Sequence, residues 1–291
     1  MYHDVSDDPD ASGFQRVGAR PYRIPERLFA RHLDALASAG AAPELVTGVD
    51  LIAPGRHLFL TFDDGGRSAL RVADLLGRRG WSGHFFVVTS LIGARTFLTA
   101  GEIRYLRTCG HVVGSHSHTH PDIFRELAGP RMRDEWRVSR AILADILGEP
   151  CVAASVPGGD SSARVFASAA HAGLRYLFTS EPRILPRHCG ACWVVGRATL
   201  RAASSAETAA RLARFSGWSR ERAIWWLKGG ARRALAPVYR EYVRASTRPG
   251  TDGGDALGSL MRSAARVLRR GGGAEIARPA PTPGGGRHRD G

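Results

Sequence analysis

The sequence is poor in lysine and cysteine, and it lacks long apolar runs. It has 41 basic residues among 291, yet Lys228 is its single lysine. Four cysteines are too few for a disulfide scaffold in a chain of this length. No window approaches the roughly 18 consecutive apolar residues of a membrane-spanning helix. The first ten residues show no signal peptide. We therefore expect a location in the cytoplasm or at the cytoplasmic face of a membrane.

The positive charge is concentrated near the C-terminus. The net charge is +14, and residues 216–291 contribute 15 basic and 6 acidic residues to it. The rest of the chain is only mildly basic. A nucleic-acid-binding protein would instead present a basic face with aromatic side chains on its folded domain. We therefore expect no specific nucleic-acid partner.

Apolar segments with the length of buried strands alternate with helical patterns along the first two thirds of the chain. The predicted strands are 56–62, 83–89, 111–114, 151–156, 175–179 and 192–195. Repeated βα units indicate an α/β fold with a mostly parallel sheet. The pattern alone does not separate an open doubly wound sheet from a closed barrel.

Three regions follow from the change in composition along the chain. The sequence predicts an α/β domain over residues 1–205 and an amphipathic helical segment rich in tryptophan over residues 206–246. Residues 247–291 contain 11 glycines and 4 prolines, which predicts a mostly disordered tail. The tryptophans and arginines of 216–246 favour a helix that covers the domain. Peripheral contact with an anionic membrane is the alternative interpretation.

Two adjacent carboxylates end the first long predicted strand, in Thr61-Phe62-Asp63-Asp64-Gly65. Carboxyl ends of strands are where α/β folds carry their chemistry. Alternation along an extended chain directs the two side chains differently, so one can bind a metal while the other acts as a base. The alternative interpretation is an Asp-Gly turn that caps a helix.

Three histidines, His116, His118 and His120, alternate just after another predicted strand. Neutral imidazole is a common metal ligand, and two histidines with one carboxylate leave a position open for water. A histidine-rich surface loop is the alternative interpretation. The Asp-Asp pair, 52 residues earlier at the end of a strand of the same sheet, favours a metal site.

These two segments resemble the polysaccharide deacetylase family, also known as the NodB-homology domain or carbohydrate esterase family 4. Thr61 to Gly65 match its Thr-Phe-Asp-Asp-Gly motif, and His116 to His120 match its His-Ser/Thr-x-x-His motif. The resemblance covers about residues 1–200 and implies a distorted (β/α) barrel of about seven parallel strands. The resemblance further implies that Asp63 is the catalytic base and that Asp64, His116 and His120 bind a divalent ion, which we expect to be Zn²⁺. His118 occupies a variable position of the motif, where we expect it in the pocket wall or beside the ligands rather than as a ligand itself.

The third family motif is only partly matched. Pro157 and Gly158 are similar to the family turn in which the N–H after the proline stabilises the oxyanion, so Gly158 would supply that N–H. Ser155 stands where the family has an arginine. The resemblance therefore leaves open how Asp63 is oriented.

The family's usual acid histidine near the end of the domain is missing, whereas the chain opens Met1-Tyr2-His3. This opening resembles the circularly permuted branch that includes the poly-N-acetylglucosamine deacetylases. There the acid comes from the first strand and the third-motif arginine is commonly absent. His3 is therefore the candidate general acid, with His188 as the alternative. An unstructured N-terminal histidine is the functionally neutral interpretation.

Cys189-Gly190-Ala191-Cys192 has the spacing of a zinc or redox motif. A structural zinc site would need a second cysteine pair, and a thioredoxin-like motif would need a different context. The sequence therefore predicts a loop with incidental cysteines.

The resemblance implies a monomeric hydrolase that removes acetyl from an N-acetylated sugar polymer or glycoconjugate. The alternative is a catalytically impaired relic that still binds metal and carbohydrate. The absent arginine and the short N-terminus favour the relic, and the intact Asp63–Asp64 pair argues against it.

Overall fold

A computed structural model describes residues 1–159, 161–234 and 240. The predicted tail, 247–291, lies outside them. Short 3-10 turns connect several of the described elements, which are β1 (Asp4–Val5), β2 (Arg23–Ile24), α1 (Glu26–Ser38), β3 (Thr61–Phe62), α2 (Ser68–Gly77), β4 (His84–Val87), α3 (Ala100–Thr108), β5 (Val112–Ser115), α4 (Gly129–Leu147), β6 (Ala153–Ser155), α5 (Ala163–His171), β7 (Tyr176–Phe178), β8 (Arg187–Cys189), β9 (Cys192–Val195), α6 (Ala206–Ala213) and α7 (Trp218–Ala234).

Seven of these strands form one curled sheet, in the order β3-β4-β5-β6-β7-β9-β8. All neighbours are parallel except β8 and β9. The prediction of an α/β fold with helices around a mostly parallel sheet is confirmed. The expectation of about seven parallel strands is met by six, because the edge strand β8 runs antiparallel to β9. A two-residue turn with Gly190 at φ 58° reverses the chain between β8 and β9, where the sequence had predicted a loop.

The interior strands are buried on both faces. All four residues of β4, from His84 to Val87, are buried, as a parallel strand covered by helices requires. The apolar face of α2 contributes Val72 and Leu76 to the core below it. Local signals set helix boundaries: Thr99 and Glu102 form a reciprocal capping box that begins α3.

The first two residues connect the two ends of the parallel sheet. Tyr2 forms a parallel bridge with Phe62 of β3, and its N–H donates to Thr61 O at 2.8 Å. On the other side, the Met1 nitrogen donates to Ala198 O and Leu200 N donates to Met1 O, just after β9. The first residues therefore lie between the first and last parallel strands and place His3 at the carboxyl edge of the sheet.

The predicted helical segment 206–246 begins with two helices rather than one. Between α6 and α7 the backbone takes left-handed conformations at Phe215 (φ 59°) and Gly217 (φ 79°), which end the first helix. α6 packs against α1 on the outside of the domain. Among the described helices, none has both the length and the apolar content to cross a lipid bilayer.

Gly114, in β5, is a strict requirement of the sheet. A Cβ at this position would lie 2.5 Å from Ala153 O and 2.8 Å from the Phe86 ring. We expect Gly114→Ala to lower the free energy of unfolding by about 1–3 kcal/mol through overpacking. Gly77→Ala, where a Cβ meets nothing within 4 Å, is the control and should be neutral or stabilising by up to about 1 kcal/mol. Urea unfolding measures both, and an equal response would contradict this account.

Candidate active site

The carboxyl ends of the parallel strands gather the chemistry-bearing side chains at one edge. Asp63 and Asp64 follow β3, His116 follows β5, and Arg197 lies two residues after β9. Gly158 lies in the turn after β6 and lines the same cavity as both aspartates and His116. The curled sheet therefore gives these distant segments one common site.

Asp64, His116 and His120 form a cluster whose ligand atoms all lie within 4.8 Å of one another. Asp64 Oδ1 is 3.3 Å from His116 Nε2 and 3.7 Å from His120 Nε2. Asp64 (φ 78°) and His120 (φ 53°) adopt left-handed backbone conformations, which turn their side chains toward each other. Two imidazoles and one carboxylate are a donor set that suits a zinc ion with an open position.

The charge states of this cluster suit a divalent cation. Burial, and then neighbouring His116, lower the pKa of His120 to about 3, so its imidazole is neutral at pH 7. Burial would raise the pKa of the Asp64 carboxyl, but the hydrogen bond from His116 and the nearby histidines hold it below its usual range. The result is an anionic carboxylate beside imidazole nitrogens. The residues present therefore fit the metal that the resemblance implies.

Neighbouring side chains fix the orientation of the histidine loop. Ser155 Oγ lies 2.6 Å from His116 Nδ1, which leaves Nε2 facing Asp64. The Glu135 carboxylate is buried in α4 and accepts the N–H groups of His118 and Thr119 at 2.9 and 2.8 Å. It also accepts the Thr119 hydroxyl at 2.7 Å. Outer partners of this kind orient metal ligands, and sequence reasoning did not identify Glu135.

Arg197 forms a buried two-pronged ion pair with Asp63. Nη1 donates to Asp63 Oδ1 at 2.7 Å and Nη2 donates to Oδ2 at 2.8 Å. Burial would raise the pKa of the Asp63 carboxyl, but the charge and hydrogen bonds of Arg197, together with the nearby His116 and His3, outweigh it and bring the pKa to about 2. Asp63 is therefore ionised at neutral pH and held in one orientation.

This arginine answers the question that the third motif left open. Ser155, which stands where the family has arginine, donates its hydroxyl to Asp63 Oδ1 at 3.1 Å. The guanidinium comes instead from the far end of the sheet, after β9. Sequence reasoning missed Arg197. The available signal was its position two residues beyond the last predicted strand, at the edge where the other site residues lie.

His3 lines the same cavity as Asp63, Asp64, His116 and His120. Its ring contacts the Tyr22 ring, with 4.5 Å between the centroids. Its Nδ1 is buried and has no hydrogen-bond partner among the described residues. Burial lowers the pKa of His3, whereas the charges of Asp64 and Asp63 favour its protonated form.

The remaining sequence-predicted residues separate into two groups. Gly158 lines the cavity, with Pro157 buried next to it. Neither His118 nor His188 lines this cavity. His118 Nδ1 lies 3.0 Å from Thr89 Oγ1, and the His188 ring packs on Trp193 in β9. The pocket position expected for His118 is therefore not where the structure puts its side chain.

The cavity has a volume of about 690 Å³. Its walls carry both polar and aromatic groups. The aromatic side chains are Phe14, Tyr22, Phe166, Trp225 and Trp226, and the arginines include Arg187 and Arg201. Helix α7 therefore covers part of the cavity through Trp225 and Trp226, while Leu227 beside them is 75% exposed.

Comparisons with known proteins identify the central domain. Residues 52–177 match the family model described as polysaccharide deacetylase, which confirms the resemblance seen in the motifs. This segment therefore carries a polysaccharide deacetylase domain. His3 and Arg197 both lie outside residues 52–177. The N-terminal residues therefore add His3 to the site, and the segment after β9 adds Arg197.

Three solved structures have a similar fold. The deacetylase PplD of Streptococcus pyogenes, solved in complex with acetate, has a TM-score of 0.58 and 18% identity over 72% of this chain and 93% of its own. A polysaccharide deacetylase from Bacillus cereus has a TM-score of 0.61 and 18% identity over 73% and 67%. IcaB from Ammonifex degensii has a TM-score of 0.59 and 22% identity over 73% and 94%. At such identities the likeness shows the fold.

The cluster should bind one divalent ion per chain. His116→Ala removes a buried ligand atom, so we expect it to lose most of the metal. His118→Ala is the matched control, because it changes the same loop outside the cluster and should retain the metal. Elemental analysis of the purified full chains measures this. Equal metal content in the native chain and His116→Ala would contradict the ligand assignment.

Removing the Arg197 charge should destabilise the fold through Asp63. Arg197→Met leaves a buried carboxylate without its counter-charge, and we expect a loss of about 3–5 kcal/mol in unfolding free energy. Adding Asp63→Asn removes the uncompensated charge and should recover much of that loss. Urea unfolding of both single variants and the double variant measures the coupling. Additive effects in this cycle would show that the ion pair does not hold Asp63.

Proposed function

We propose that this protein is a metal-dependent N-deacetylase that hydrolyses the acetamide of an N-acetylated sugar in a polysaccharide or glycoconjugate. One observation carries the proposal: an ionised carboxylate, Asp63, lies beside the cluster of Asp64, His116 and His120 in a single cavity. A base next to a cation site is the arrangement that activates water for amide hydrolysis. The polysaccharide deacetylase domain supports the same reaction class.

Asp63 serves as the general base of this reaction. Arg197 keeps the carboxylate ionised and occupies both of its oxygens from one side. A divalent ion, which we propose to be Zn²⁺, supplies Lewis acidity at the cluster when bound. The Asp63 carboxylate takes the proton of the water that attacks the acetyl carbonyl. A positioned base contributes typically about 10²–10⁴-fold to such a step.

His3 and Gly158 complete the proposed machinery. The Gly158 N–H donates to the oxygen that gains charge at the acetyl carbon. His3 gives a proton to the departing sugar amine, which is a poor leaving group unless protonated. The buried Nδ1 without a partner among the described residues, in the same cavity as Asp63 and Asp64, supports this role.

The cavity suits a carbohydrate. Its volume of about 690 Å³ accommodates more than one sugar unit, and its aromatic side chains offer apolar faces to sugar rings. Acetate, the product of the proposed reaction, was bound in the similar PplD structure. We propose an N-acetylated sugar within a polymer or glycoconjugate as the substrate.

One ground for the relic alternative was the arginine missing from the third motif. Arg197 supplies a guanidinium to Asp63 from another strand, so this ground no longer favours lost turnover. The intact base, cluster and cavity together favour an enzyme.

Acetate release from a panel of N-acetyl sugars tests the proposal. The panel includes chitooligosaccharides, poly-N-acetylglucosamine fragments and peptidoglycan fragments, each with metal-stripped and metal-reloaded protein. We expect release only from reloaded protein. Asp63→Asn should lose orders of magnitude in turnover because it removes the proton acceptor, and His3→Ala should lose about 10²–10⁴-fold. Both variants should retain the metal.

His188→Ala is the matched control for His3, because it removes the alternative acid at a position outside the cavity. It should retain near-native turnover. A loss in His188→Ala with none in His3→Ala would reverse the assignment of the acid. No acetate from any sugar with reloaded protein would overturn the deacetylase activity itself.

A further inference from the structure

Cys189 and Cys192 lie directly opposite each other at the turn between β8 and β9. The antiparallel register pairs Cys189 with Cys192, His188 with Trp193 and Arg187 with Val194. Only Gly190 and Ala191 separate the two cysteines. The sequence had predicted a loop with incidental cysteines, and the structure instead makes them cross-strand neighbours.

The backbone at this turn is compatible with a disulfide. Directly paired residues in antiparallel strands have Cα atoms about 4.5–5.5 Å apart. Disulfides span Cα distances of about 4.4–6.8 Å. Both thiols lie on one face of the hairpin, since Cys192 belongs to a core cluster and Cys189 packs against it. The rings of His188 and Trp193 pack together as the neighbouring pair.

The two thiols differ in access, which gives a disulfide exchange reaction a direction. Cys189 is half-buried and can meet a small molecule from solvent, whereas Cys192 is fully buried. Burial, with Cys189 as a neighbour, raises the pKa of the Cys192 thiol to about 12. The accessible thiol therefore reacts first, and the buried thiol resolves the product.

We propose that Cys189 and Cys192 are a reversible redox site that a small disulfide, such as oxidised glutathione, converts into an internal disulfide. The Cys189 thiolate attacks one glutathione sulfur, forms a mixed disulfide and releases one glutathione thiolate. Cys192 then gives up its proton and attacks the Cys189 sulfur, and the second glutathione thiolate leaves. The protein loses two protons and two electrons, and one glutathione disulfide becomes two glutathione thiols.

This site connects to the cavity through β8. Arg187, two residues before Cys189, donates to Glu181 Oε2 at 2.5 Å, and its guanidinium lies 4.6 Å from the Phe166 ring centre. All three side chains line the cavity. A disulfide between Cys189 and Cys192 would restrain β8, the strand that carries Arg187. The redox site stands independently of the proposed deacetylase activity.

Mass spectrometry of the full chain, oxidised in its folded state, tests the proposal. The Cys109→Ser background removes the exposed thiol, and the folded protein is equilibrated with oxidised glutathione, then denatured, alkylated with iodoacetamide and digested with trypsin. Cleavage after Arg187 and Arg197 gives peptide 188–197, which contains both cysteines and no other. We expect this peptide to be unalkylated, about 2 Da lighter than its dithiol form, and restored by dithiothreitol. Amide hydrogen exchange in β8 should slow on oxidation.

Cys192→Ser in the same background is the matched control. It removes the resolving thiol, so we expect Cys189 to remain as the mixed glutathione disulfide. Complete alkylation of both cysteines in the oxidised native protein would overturn the proposal. A disulfide that forms only after unfolding in urea would overturn it as well, since the folded hairpin would then not bring the thiols together.

Discussion

A buried carboxylate stays ionised only where opposite charge or hydrogen-bond donors replace its lost hydration, and Arg197 supplies both to Asp63 at the centre of the site. Both side chains are almost fully buried, at 5% and 4% exposure. Arg197 also donates to Thr61 Oγ1 and to Thr179 O, so one guanidinium joins the ends of three strands. The bidentate geometry fixes direction as well as charge. The same guanidinium therefore orients the Asp63 carboxylate and connects the first and last parallel strands of the sheet.

The rest of the site depends on backbone conformations that the surroundings must hold in place. Asp64, Ser117 and His120 all have positive φ angles, which side chains other than glycine adopt at a cost of about 1–3 kcal/mol each. The Ser117 hydroxyl accepts the His120 N–H at 3.0 Å, and Glu135 accepts two N–H groups of the same loop. These hydrogen bonds offset the strain and keep two imidazoles aimed at one carboxylate.

Alternating strand and helix patterns predicted the fold class, and two local motifs predicted the core of the candidate site, because the carboxyl ends of parallel strands meet at one edge of a sheet. Asp63, Asp64, His116 and His120 belong to this group. Arg197 does not: it lies 134 residues from Asp63, and no periodicity connects a strand end to a counter-charge that far away. His3 was predicted through family resemblance alone. The strand β8 escaped detection because Arg-His-Cys is short and carries no apolar alternation.

The contacts of Met1 and Tyr2 with both ends of the parallel sheet determine the order in which parts of the site can form. Residues 64–120 contain all three members of the Asp64–His116–His120 cluster, and local strand pairing can assemble it early. The position of His3, and the approach of Arg197 to Asp63, depend on contacts of Met1 with Ala198 and Leu200, the most distant backbone pairings among the described residues. Contacts of such sequence separation form late in folding. Residue 200 must therefore be available before residues 1–3 can take their place, so the cluster of Asp64, His116 and His120 can assemble before the proposed acid is in position.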